Sequence, residues 1–398
     1  ETLGSIEDGT LRGDLIVRGG GDPTISTRDR RNEQVFDEWA AALRFAGITA
    51  IDGRIIGDDQ AFDDEGIGPG WSWDYLEAGY AAPVGALQYN ENTADLIVAP
   101  GVAAGDPAII RISPGAGYTL INRVVTREAA GPEGPRGTIT IQRRIDSPTL
   151  VVSGTIPLGS EEIRRTVAVV NPTLYFAQSL KDALIARGIT VSGDAVDIDD
   201  VAPELTSNGG SHERHVLVTT HSPPLRDVGT VLMKVSQNQY AETFLKAIGA
   251  ARGGIGSTNA GRRAAAELFA GWGIPSDGYV MSDGSGLSRY NYIAPETVTT
   301  ILARMHADPR HRDAFLATLP IAGKDGTIAT RMRGTPAEGN AVAKTGSIAN
   351  VRSLSGYVKT RNGETLAFSI IANDFVIPAA TVNWIADLAV EILANFRR

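Results

Sequence analysis

The 398-residue sequence contains no cysteine. Disulfides, zinc–thiolate sites and cysteine nucleophiles are thereby excluded. Histidine is scarce, limited to His212, His215, His221, His306 and His311. A Ser-His-Asp triad would have to draw on one of these few, and nothing in their surroundings favours it. His212 and His215 stand three apart, as a metal pair on a helix would, but no third ligand lies near them in sequence. No metal and no cofactor are expected. No apolar run approaches the roughly 18 to 20 residues that span a membrane. No signal peptide opens the chain: ETLGSIEDGTLRGDLIV already reads as strand, turn, strand, an entry into the middle of a fold. Positive charge is the minority, with 37 Lys and Arg against 46 Asp and Glu for a net charge of -9. That balance argues against a general nucleic-acid binder, which needs a basic face, and leaves room for a local basic pocket. The G-x-S-x-G elbow, the H-E-x-x-H zinc helix and the G-x-x-x-x-G-K-[ST] phosphate loop are all missing.

What is present suggests more than one unit at this length. LRGDLIVRG (11–19) alternates like a strand and runs into a Gly-rich loop. NEQVFDEWAAALRF (33–46) has helical spacing and stops at Gly47. ITAIDGRIIGDD reads as two short strands in a hairpin around Asp52-Gly53. Residues 66–90 are rich in Gly, Pro, Trp and Tyr, and 91–200 form short strands between turn clusters, apart from a helix near 172–187. After 220 the texture turns helical, with a break near Ser236 and Pro295 opening a later helix. Two strands joined by Asn362-Gly363 and a closing amphipathic helix end the sequence.

Two short patterns carry chemistry. Ser236-Gln237-Asn238 falls at the helix break, two residues after Lys234, and Lys344-Thr345-Gly346 opens a strand. Read alone, Ser236 and Asn238 are helix-capping side chains, and Lys344 is an edge-strand lysine that guards against aggregation. Their order and separation, with RGGGDPT (18–24), MKVSQNQYAETFLKAIG (233–249), SDGSGLSRYNYIAP (282–295), IAGKDGTIATRM (321–332) and AKTGSIANVRSLSGYV (343–358), say more. Together these resemble the low-molecular-mass class C penicillin-binding proteins of the penicillin-binding protein 4 type. These are the D-alanyl-D-alanine carboxypeptidases and endopeptidases of peptidase family S13.

The resemblance covers essentially the whole chain. It implies a multi-domain α/β protein with a transpeptidase-like fold, an antiparallel sheet flanked by helices, split by a long β-rich insertion. The catalytic domain would comprise 1–59 and 216–398, the inserted domain 60–97 and 168–215, and a nested β-rich domain 98–167. The resemblance further implies an extended, carboxylate-terminated peptide lying along the strand of Lys344, with Lys344 and Thr345 favouring its charged end. Gly346 would let the ligand approach the backbone, and the N–H of Ser347 would serve the oxyanion hole. Ser236 would relay a proton to the leaving amine and Asn238 would orient the substrate amide. Arg289 becomes a candidate for an acidic group of the stem peptide, and Asp74 and Tyr80 candidates for a second contact. The implied partners are peptidoglycan stem peptides and β-lactams in the periplasm, without nucleic acid. A peripheral membrane association and a homodimer are both compatible with it.

One departure stands out. The family's nucleophile is the serine of S-x-x-K, and no serine here has lysine three positions on. On a helix that spacing puts both side chains on one face. The lysine must then lose roughly three pKa units from about 10.4, worth about 4 kcal/mol, to act as base near pH 7. Three explanations stand open. In the first, which is the expectation adopted, the pair belongs to an amino-terminal segment outside this sequence. In the second, the protein is a homologue that only binds peptidoglycan. In the third, Ser236 attacks, with Lys234 or Lys344 as base. A β-lactamase or esterase on the same fold is a further alternative.

Overall fold

The computed structural model describes residues 1–115, 117–129, 137–145, 147–201 and 214–397. Two compact units emerge: Glu1–Ile67, Trp71–Ser222 and Gly253–Ser257 form the first, and Gly68–Gly70, Pro223–Arg252 and Thr258–Arg398 the second.

In the first unit the chain forms β1 (Ser5–Glu7), β2 (Thr10–Arg12), β3 (Leu15–Arg18), helix α1 (Arg31–Phe45), β4 (Ala50–Asp52) and β5 (Ile55–Asp58). There follow β6 (Thr93–Ala99), β7 (Ile109–Ser113), β8 (Thr119–Arg127), β9 (Thr138–Arg143), β10 (Thr149–Pro157) and β11 (Ile163–Ala168). Helix α2 (Pro172–Ala186), β12 (Thr190–Val191) and β13 (Ala195–Asp197) complete it. The expected hairpin at Asp52-Gly53 does not form. Instead β2, β4 and β12 pair in parallel, and so do β3, β5 and β13. Each of the three chain segments passes from one short sheet to the next through a glycine: Gly13, Gly53 or Gly193. These glycines are needed for close approach, since a Cβ on Gly53 would lie 2.2 Å from the Gly13 carbonyl oxygen and one on Gly193 2.5 Å from that of Gly53. For the same reason LRGDLIVRG is two strands, not one. This parallel pairing places β2 to β5 in one compact unit with β12 and β13. Phe36 and Trp39 of α1 pack on Phe176 of α2 at ring separations of 6.0 Å, over a core that includes Leu11, Ile51 and Leu180. Strands β6 to β11 form two three-stranded sheets around Leu96, Leu150 and Val152, the β-rich texture read from 91–200.

The second unit comprises α3 (Leu225–Val235), α4 (Asn238–Ala250), α5 (Thr258–Gly271), β14 (Tyr279–Val280), β15 (Tyr292–Ile293), α6 (Pro295–Ala307) and α7 (Arg312–Thr318). It ends with β16 (Val342–Ile348), β17 (Val351–Lys359), β18 (Thr365–Asn373) and α8 (Ala379–Asn395). The last three strands are an antiparallel sheet in that order, with β16 at its edge. Period-two alternation sorts the faces of β17. Leu354 and Val358 pack with Ala386 and Val390 of α8, while Tyr357 turns to Leu302 of α6 and donates its hydroxyl to that residue's carbonyl at 2.7 Å. The hairpin at Asn362-Gly363 forms as expected, with Gly363 at φ 82°.

Candidate active site

The cleft of the second unit is built on the break between α3 and α4. Ser236 closes α3 in the left-handed region, at φ 61° and ψ 51°. A non-glycine residue pays of order 1 kcal/mol for that conformation, a strain that persists only where the surroundings impose it. Capping of α4 falls to Gln237, whose side chain accepts from the Gln239 N–H at 3.2 Å. Ser236 is thereby released from a capping role, and its hydroxyl accepts a hydrogen bond from Lys344 Nζ at 2.6 Å.

Lys344 comes from the edge strand β16, where its ammonium also donates to the Thr345 carbonyl at 2.7 Å. It makes no carboxylate pair among the described residues, and burial pushes its pKa down to about 8. Lys234, the other lysine near Ser236, points elsewhere. Its Nζ pairs with Asp325 at 2.7 Å and donates to the Leu319 carbonyl at 2.7 Å, which ties the end of α3 to the IAGKDGT segment. The same segment supplies Thr327, which shares a 2.9 Å hydroxyl contact with Thr345.

Ser236, Asn238, Arg289, Lys344, Thr345, Gly346 and Ser347 all line one cleft of about 740 Å³, within the usual range for a ligand site. A side chain on Gly346 would meet the Ser353 hydroxyl, 2.3 Å from its Cβ, on this same wall. The exposed Arg289 enters from the loop 282–291 and donates to the Ala349 carbonyl at 3.1 Å, with no carboxylate partner among the described residues. Asp74 and Tyr80 belong to the first unit. There Ser72 donates to Asp74, and Tyr80, half exposed, stacks edge-on against Tyr75 at 5.6 Å. Of the histidine pair, His212 lies outside the described residues. Among the described residues no group of three acidic, His or Cys side chains suits a metal ion.

Sequence reasoning missed three carboxylates behind this wall: Glu242, Asp283 and Asp325. Asp325 and Asp283 sat inside quoted motifs. Glu242 follows Asn238 by one helical turn, on a buried face of α4 that also carries Gln239, Thr243 and Lys246, so no apolar stripe in the sequence marked it as inward.

Comparison with known proteins identifies the family of the chain and relatives of its fold. Residues 1–395 match the model of the D-Ala-D-Ala carboxypeptidase 3 (S13) family. The chain is 34% identical over 378 residues to the D-alanyl-D-alanine carboxypeptidase of Actinomadura sp. (strain R39), an alignment spanning 92% of this chain and 66% of that protein. A solved structure of penicillin binding protein 4 from Haemophilus influenzae superposes with TM-score 0.80 at 25% identity, covering 99% of this chain and 85% of that one. A second structure of that protein, complexed with a β-lactam, superposes with TM-score 0.74 at 24% identity, covering 99% and 84%, and shares the fold.

Proposed function

Because the chain belongs to the D-Ala-D-Ala carboxypeptidase 3 (S13) family, we propose that it acts as a serine DD-peptidase of peptidoglycan. It removes the terminal D-alanine of stem peptides or cuts D-Ala–diaminopimelate cross-links through an acyl-enzyme, and β-lactams acylate the same serine. The observation that carries this reading is the 2.6 Å contact between Lys344 and Ser236 beside an open strand edge.

An extended peptide adds to the edge of β16, where main-chain hydrogen bonds give affinity. Its terminal carboxylate meets the Lys344 cation and the Thr345 hydroxyl, and Gly346 leaves the backbone approachable. The N–H of Ser347 and that of the nucleophile hold the developing oxyanion, each worth about 10²–10³ in rate. Lys344, donating to Ser236, sets that hydroxyl to pass its proton to the leaving amine, while Asn238 orients the scissile amide. Arg289, without a carboxylate of its own among the described residues, takes an acidic group of the stem peptide. Asp74 and Tyr80 are proposed as a second substrate contact, supported by their exposure. The domain boundaries given above, a periplasmic location, and a membrane-associated or dimeric state belong to the same reading. The exposed Trp384, Ile385, Leu388 and Ile392 of α8 offer a surface that such association would cover.

No serine of this sequence is followed by lysine at the third position, so the test must locate the nucleophile as well as detect it. Native full-length protein is incubated with a penicillin, and the labelled peptide is mapped by mass spectrometry. A single stable adduct on a serine of an S-x-x-K segment supports the proposal. An adduct on Ser236 favours the second reading, in which Ser236 attacks and Lys344 is its base, for which the same 2.6 Å contact speaks. No adduct would make the protein a binder of peptidoglycan peptides, and rapid release of hydrolysed penicillin would make it a β-lactamase.

A further inference from the structure

The wall that carries Arg289 is held from behind by two buried carboxylates. Glu242, 4% exposed, lies one helical turn from Asn238 on α4. Its carboxylate accepts from the Gly284 N–H at 3.0 Å and the Ser285 N–H at 2.7 Å. Asp283, 3% exposed, accepts from the N–H groups of Gly286 at 2.9 Å and Ser288 at 2.6 Å, and from Asn291 Nδ2 at 2.7 Å. Asn291 closes the loop by accepting from the Ser282 N–H at 2.7 Å. The loop is pressed so tightly on α4 that a Cβ on Gly284 would stand 2.5 Å from the Ala241 carbonyl oxygen.

Two neighbouring carboxylates are packed here on the loop side of α4, whose buried residues also include Lys246 at 2% exposure. Each carboxylate loses hydration, and burial together with the Asp283 charge raises the Glu242 pKa. What this arrangement adds is a fixed length. The helix that presents Asn238 to the cleft also carries, through Glu242, the segment that presents Ser285 to Arg289 to the same cleft.

We propose that Glu242 is a positioning residue that sets the spacing between the amide-orienting Asn238 and the acid-binding Arg289, and so gives the enzyme its preference for stem peptides bearing a side-chain carboxylate. The proposal rests on the DD-peptidase reading and its role for Arg289. Glu242 does not touch substrate; it acts through the backbone of Gly284 and Ser285.

The test compares two D-Ala-D-Ala peptides that differ only in the preceding side chain, one ending in a carboxylate and one in the corresponding amide. Native full-length protein should prefer the acid, and Arg289→Ala should abolish that preference. Glu242→Gln, which faces the two N–H groups with only one acceptor oxygen, should lower the acid-over-amide ratio of kcat/KM about tenfold. The double variant should be no less selective than Arg289→Ala alone. Gly284→Ala leaves the carboxylate in place but forces the loop off α4, and should lower the same ratio, which keeps the test decisive if Glu242→Gln does not fold. A purely structural role would slow both peptides by one common factor, and that outcome, or an unaltered ratio in both variants, overturns the proposal. If native protein shows no acid preference, or Arg289→Ala retains it, the Arg289 assignment fails and the Glu242 proposal falls with it.

Discussion

Lys344 is a cation held where water reaches it poorly, and its consequences can be read by pH. Its pKa in the fold is about 8 against an ordinary 10.5. Between those values the unfolded chain binds more protons than the folded one, so this group makes stability rise with pH across that window. The role proposed for it in binding a carboxylate runs the other way, because the charge is lost as pH rises through about 8. Penicillin acylation by native protein should therefore decline above about pH 8 while the unfolding midpoint does not. Lys344→Ala should cut acylation strongly and leave far-ultraviolet circular dichroism unaltered. Acylation kinetics that ignore this substitution would sink the assigned role. Asp59 shows the opposite sign. Burial raises its pKa to about 6, its Oδ2 accepts from the Thr173 hydroxyl at 2.5 Å, and its Oδ1 has no partner among the described residues. The folded chain holds the extra proton between 3.8 and about 6, so stability falls as pH rises through that window and the full cost is present above it. Asp59→Asn should raise the urea midpoint at pH 7 and leave it unaltered at pH 3.5.

The decisive element is β16. An edge strand can accept a peptide only if its own position is fixed from the other side, and β17 does this through Gly356. A Cβ there would lie 2.1 Å from the Val342 carbonyl oxygen and 2.6 Å from the Ala343 Cα, both backbone atoms of β16 next to Lys344. Gly356→Ala should cost on the order of 1–3 kcal/mol and slow penicillin acylation, because β16 must shift and carry Lys344 away from Ser236. Equal acylation rates at matched folding would show that the edge tolerates displacement. The helix break was legible in MKVSQNQY, and so was the strand of AKTGSIAN, because both follow from local periodicity and small polar residues. The carboxylates behind the cleft were not. Nothing in SDGSGLSRYN marks Asp283 as buried until α4 packs against it.

On the scale of the whole molecule, each unit has a core of its own, and the aromatic group of the first offers an internal probe. Phe176 is fully buried, with Trp39 at 6.0 Å. Phe176→Ala should destabilise that unit by about 3–5 kcal/mol, seen as an earlier urea transition in tryptophan emission. Unchanged emission midpoints would mean that the site collapses around the cavity. The acidic balance, the lack of thiol chemistry and the cleft motifs with their order along the chain were fixed by the sequence itself, since they depend only on which residues are present and how they are spaced. So was the hairpin of β17 and β18, whose Asn362-Gly363 turn is local. The parallel pairing of three distant segments through Gly13, Gly53 and Gly193 required tertiary structure, because alternation along a strand does not say which strand it will meet. The 2.6 Å meeting of Lys344 with Ser236, across 108 residues of chain, and the depressed lysine pKa that accompanies it were likewise decided only by folding: charge and residue type are local, but burial and distance are properties of the packed molecule.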